Sequence, residues 1–112
     1  MDSILTSIKK MLGITEEYEH FDTDLIMHIN SVFMILNQLG VGPDVPFVIM
    51  SKDETWNQFL DGANLEMVKS YMFLKVKMLF DPPTGGTVMD SYNRQIAEME
   101  WRLNVAVDPP QE

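Results

Sequence analysis

Apolar residues recur at three- and four-residue steps in four separate stretches of this chain, and each stretch predicts an amphipathic helix. Ile4, Leu5, Ile8, Met11 and Leu12 line a short first helix over Ser3–Leu12, with Ser3 as N-cap and Gly13 as stop. Lys9 and Lys10 stand near its C-terminal end, where the helix dipole favours cations. An acidic connection through Glu16, Glu17, Glu19 and Asp22 leads to a second helix over Thr23–Leu39, closed by Gly40. Leu25, Ile29, Val32, Leu36 and Leu39, widened by Ile26 and Phe33, give it a broad core-facing stripe, and Asp22 or Thr23 is the expected cap. Leu65, Val68, Met72, Val76 and Leu79 mark a third helix that Pro82 and Pro83 must end, since proline lacks the backbone donor and pushes its predecessor out of helical geometry. Val88, Tyr92, Ile96, Met99 and Leu103 mark a fourth, with Thr87 as expected N-cap and Asp90 at the third helical position.

Between Val41 and Gly62 the helical period fails. Gly42-Pro43 and Val45-Pro46 mark turns, and Phe47-Val48-Ile49-Met50 is long enough only for an edge strand or an extended packing segment. A helical turn or two around Asp53–Leu60 would point Trp56, Phe59 and Leu60 inward. After Leu103 the pattern stops, so Asn104–Val107 and the Asp108-Pro109-Pro110-Gln111-Glu112 run are expected to be extended. The expected fold is all-α: a small bundle of about four to five helices around an irregular central loop with room for a short strand. Residues 1–104 form the single helical domain, and 105–112 an extended C-terminal tail.

Composition narrows the function classes. A chain of 112 residues has room for one hydrophobic core. No stretch approaches the roughly 18 uncharged apolar residues of a membrane span, and Met1-Asp2-Ser3-Ile4-Leu5 lacks the basic start of a secretory signal, so the chain reads as cytosolic with no membrane partner. The absence of cysteine removes disulfides, thiol nucleophiles and thiolate zinc sites. A net charge of −9 argues against gripping nucleic acid, because the eight lysines and arginines are scattered among seventeen carboxylates.

Catalytic constellations are weak. His20, Asp24 and His28 would share a face on a continuous helix, but His20 precedes the expected cap and no cysteine or third histidine completes a metal site. Gly85-Gly86-Thr87 lacks the lysine and glycine spacing of a phosphate loop and reads as a hinge. Glu98 and Glu100 point about 200° apart on a helix and cannot share a substrate, whereas Glu98 can pair with Arg94 or Arg102. No catalytic residue, cofactor site or metal site is therefore assigned, and the chain is not expected to be an enzyme. The ten methionines are favoured as core filling over an adaptable interaction surface. Trp101 falls just off the seam of its helix between charged neighbours, and either an interface anchor or a core residue fits it.

Several runs together resemble the small head-tail connector, or adaptor, proteins of tailed bacteriophages and prophages. They are Ile8-Lys9-Lys10-Met11-Leu12-Gly13-Ile14, Phe21-Asp22-Thr23-Asp24-Leu25, Ile29-Asn30-Ser31-Val32-Phe33, Gln38-Leu39-Gly40-Val41-Gly42, Thr55-Trp56, Phe80-Asp81-Pro82-Pro83 and Glu100-Trp101-Arg102-Leu103. The resemblance implies a helical virion protein at the head-tail interface, made in the bacterial host cytoplasm. It implies a homo-oligomeric ring, a dodecamer when docked, that contacts the portal protein and a downstream stopper or tail-completion protein. DNA would pass through without specific binding, along a lumen of carboxylates. Tyr92, Trp101, Arg102 and Leu103 are the candidate interface residues. The alternative is an acidic regulatory protein that mimics DNA and blocks a nucleic-acid enzyme.

Overall fold

A computed structural model describes residues 3–62 and 64–107. Five helices follow one another: α1 (Ile4–Met11), α2 (Asp22–Gln38), α3 (Trp56–Phe59), α4 (Leu65–Phe80) and α5 (Gly86–Val107). Among the described residues there is no strand, only an isolated antiparallel bridge between Ser3 and Thr55. Phe47–Met50 is the extended packing segment. Its need for a ladder partner is removed at Ile49, whose N–H donates to Asn30 Oδ1 at 2.8 Å and whose carbonyl accepts from Asn30 Nδ2 at 3.0 Å.

The central helix is α4, packed against α1, α2 and α5. Phe21, the N-cap of α2, stacks edge-on against Phe80 at the end of α4, with centroids 5.1 Å apart. Tyr71 Oη donates to Glu100 Oε2 at 2.7 Å, and Asn104 near the end of α5 reaches the Leu39 carbonyl at the end of α2 at 3.4 Å. Helix α4 is thus antiparallel to both α2 and α5. A helix between two neighbours must be apolar on two sides. Val68, Met72 and Val76 are buried as the stripe predicts, but so are Tyr71 and Leu74 on the α5 side, which a single stripe does not include. Leu79, in the last turn, remains exposed.

Local signals succeed at α1 and fail at α2 and α5. Ser3 Oγ accepts from the Thr6 N–H at 3.2 Å, the expected cap. Neither Asp22 nor Thr23 caps α2: Phe21 holds the cap position without a side-chain bond, and the Asp22 carboxylate is turned to Lys9 Nζ at 2.8 Å. Helix α5 begins at Gly86, with the Met89 N–H bonded to the Gly85 carbonyl at 2.9 Å, so Thr87 lies inside the first turn and Asp90 beyond it. It also continues through Asn104–Val107, the stretch expected to be extended, and the Asn104 side chain there donates to the Leu39 carbonyl of α2's C-cap at 3.4 Å. The expected tail beyond Val107 lies outside the described residues.

The core gathers Ile4, Ile8, Leu25, Ile29, Val32, Phe33, Leu36, Ile49, Trp56, Val68, Met72 and Leu103. Trp56 Nε1 donates to Ser7 Oγ at 2.7 Å, which satisfies its buried donor and pins α1 over α3. The molecule is flat, 50 × 36 × 19 Å.

Candidate functional site

The outer face of α5 is the first candidate. Trp101 is 66% exposed, and 100° per residue places Arg94, Ala97 and Asn104 on the same side. Arg102 is exposed and paired with Glu98 at 2.7 Å, on the rim of a groove of about 390 Å³ lined also by Met67, Gln95 and Met99. Leu103 and Tyr92 are placed differently. Leu103 is fully buried in the chain's own core and is not available to a partner, because it stands about 200° around the helix from Trp101. Tyr92 is half-buried against that core. Of the four residues singled out as an interface, only Trp101 and Arg102 face outward, and the core alternative for Trp101 is excluded.

The second candidate lies where α1 ends, α2 starts and α4 ends. Leu12, Ile14, Phe21, Phe80 and Asp81 line an open groove of about 430 Å³. Phe80 meets Phe21 and, at 6.5 Å between centroids, His28, while Phe21 also meets Tyr18 at 5.7 Å and His20 at 5.0 Å. Met11 and Leu79 at the ends of α1 and α4, Tyr18 in the α1–α2 connection and Val88 in the first turn of α5 are exposed. Lys9 holds this corner together. It is 2% exposed, with Nζ donating to the Glu16 carbonyl at 2.9 Å and contacting Asp22 Oδ1 at 2.8 Å. Asp22 Oδ1 has no other partner and no donor in hydrogen-bonding alignment, so this contact is an ion pair by distance. Sequence reading missed the groove because Phe21 and Phe80 lie outside the periodic stripes. The usable signal was an aromatic immediately flanking each helix end.

Other features resolve into structure. His20 lies before α2 and His28 within it, each with its ring against a phenylalanine, and no group of three or more metal-ligating side chains assembles among the described residues. Glu98 and Glu100 diverge as their spacing requires, one to Arg102 and the other to Tyr71. Burial, then the hydrogen bond to Glu100 and its charge, push the Tyr71 phenol well above the usual tyrosine range. Burial would raise the Glu54 carboxyl, but bonds from the Met50, Glu54 and Ser51 N–H groups and the Ser51 hydroxyl outweigh it and hold the group below its ordinary value. Of the methionines, Met72 is fully buried, whereas Met11, Met27, Met34 and Met50 are exposed. Met67, Met78 and Met99 pack partly buried against the core, so core filling accounts for four of the nine described methionines. A further open cleft, lined by Ser3, Thr6, Ser7, Lys10, Glu16, Lys52 and Asp53, mixes both signs of charge.

Among the described residues, the exposed apolar side chains lie on outer helix faces, element ends and the central loop. The family model described as phage connector protein matches residues 4–110, and the chain belongs to that family. The family is structural, and membership gives the chain a connector role at the head-tail junction of a tailed-phage virion. No curated protein and no solved structure matches the chain.

Proposed function

We propose that this connector acts as a ring, twelvefold when docked beneath the portal, that extends the DNA channel toward a stopper or tail-completion protein. The observation that carries the reading is a pair of dissimilar solvent-facing surfaces with apolar side chains on one subunit. Trp101 projects from the outer side of α5, whereas the Phe21/Phe80 groove opens at the end where α2 begins and α4 stops. A rotational ring needs that asymmetry, since each contact joins one face of a subunit to a different face of the next. A two-fold dimer would need one self-complementary patch instead. The net charge of −9 suits a channel whose wall repels the passing duplex.

Sedimentation over a wide concentration range, with and without the portal neighbour, tests this reading. Growth past the dimer to a closed ring, or a monomer that assembles only on the portal, is expected. Trp101→Ala should weaken assembly by about 2 kcal/mol or more, a loss of roughly 30-fold, while leaving thermal unfolding unchanged. A tight two-fold dimer at all concentrations counts against the ring, and normal assembly of the mutant removes Trp101 from the contact.

A further inference from the structure

We propose that the groove lined by Leu12, Ile14, Phe21 and Phe80 receives the Asp108-Pro109-Pro110 segment of a second copy of this chain. The proposal rests on the ring reading and names the segment exchanged within it. The groove has the chemistry for such an occupant. Its aromatic wall, with Phe21 and Phe80 edge to face at 5.1 Å, is the kind of surface on which proline rings pack. A Pro-Pro pair already favours the extended polyproline conformation, so little conformational freedom is lost when it docks.

Geometry decides that the segment comes from another copy. Helix α5 is described as far as Val107, three residues past Asn104, and Asn104 touches Leu39 at the far end of α2 from the groove. Leu39 and Phe21 are separated by the length of α2, roughly 27 Å at 1.5 Å per residue. Pro109 and Pro110 lie two and three residues beyond Val107, a reach of at most about 11 Å. The segment falls well short of its own subunit's groove. Val107, from which the segment leaves, and the groove stand toward opposite ends of α2, and contacts between such separated surfaces propagate from copy to copy.

The groove also lacks a cover of its own. Leu12, Ile14, Phe21 and Phe80, which line it with Asp81 at the rim, all stay half-buried rather than fully buried. These residues keep apolar surface in water in the monomer, and a docked apolar segment would remove it.

The chain has no cysteine, so the only thiols in a variant are those introduced by mutation. Asp81→Cys places a thiol on the groove rim and Gln111→Cys places one beside the proline pair. Both are made in the full-length protein, and oxidation joins them only where their Cα atoms approach within about 7 Å. The double variant is expected to give a ladder of covalent dimers, trimers and higher species under denaturing conditions, and an equimolar mixture of the two single variants a heterodimer. Pro109→Ala/Pro110→Ala should raise the concentration needed for assembly on the order of tenfold without lowering the melting temperature. Rings that form without the ladder, or with cross-links within one chain, overturn the segment exchange and leave the ring reading standing. A wild-type chain that stays monomeric with and without the portal overturns both.

Discussion

Tyr71 and Glu100 show how much one pair of side chains carries at the residue scale. Tyr71 is fully buried between α4 and α5, and its hydroxyl has one acceptor, Glu100 Oε2 at 2.7 Å. Tyr71→Phe removes a bond to a charged acceptor that is itself half-buried, and should cost about 1–2 kcal/mol. The pH dependence has a definite sign. The folded phenol holds its proton above the usual tyrosine range, whereas the unfolded one releases it near pH 10. The folded state therefore binds more protons above that pH, and the stability from this pair, complete below about pH 10, is lost as pH rises past it. Chemical denaturation of wild type and Tyr71→Phe between pH 8 and 11 should show the difference between them shrinking at the alkaline end. A constant difference would mean that the hydroxyl does not govern the titration. Trp101 and Leu103 make a complementary point. They are two positions apart, yet one is exposed and the other has no exposure at all, so proximity in sequence says nothing about shared function on a helix.

At the scale of elements, the segment from Gly40 to Ser51 has almost no regular structure and is anchored through its two buried residues, Val41 and Ile49. Gly42 has φ +91°, and a Cβ there would sit 2.5 Å from Phe59 Cε1. Phe59 cannot swing away, because it packs against Phe33 at 4.6 Å and Phe47 at 5.5 Å between centroids. Gly42→Ala therefore combines backbone strain with overpacking and should cost on the order of 2–4 kcal/mol. Calorimetry should record a fall in melting temperature of about 10 °C or more. An unchanged transition would show that the loop adapts without the aromatic stack. The same segment carries Val45, Val48 and Met50 outward as exposed apolar side chains.

For the whole molecule, charge makes the sharpest prediction. With seventeen carboxylates to eight lysines and arginines, and with Lys9, Lys69, Lys77 and Arg102 each within an ion pair, few cations remain to displace counterions from a duplex. No measurable affinity for duplex DNA is expected at physiological salt in a fluorescence anisotropy titration. Binding that weakens steeply as salt rises would reveal a basic surface and undo the picture of a repelling channel. The flat 50 × 36 × 19 Å shape also leaves much of the chain at the surface, which accounts for exposed methionines on a protein with a complete core.

Periodicity was enough to place four helices, the α1 cap at Ser3, the proline stop of α4 and the all-α class, because those features depend on local spacing and backbone chemistry. The resemblance to connectors was legible in the same residues, and the family match bears it out. Tertiary structure alone decided the rest. Asp22 is a competent cap, but Lys9 on another helix claims its carboxylate. Asn104–Val107 lack a helical stripe, yet α5 runs on through them, with Asn104 in contact with Leu39 far away in sequence. Leu103 went to the core, Trp101 to the surface, and Phe21 and Phe80 came together across more than half the chain to make a groove that neither helix contains. Sequence patterns report which residues a helix can bury, whereas burial itself is set by which neighbours arrive, and those contacts are non-local.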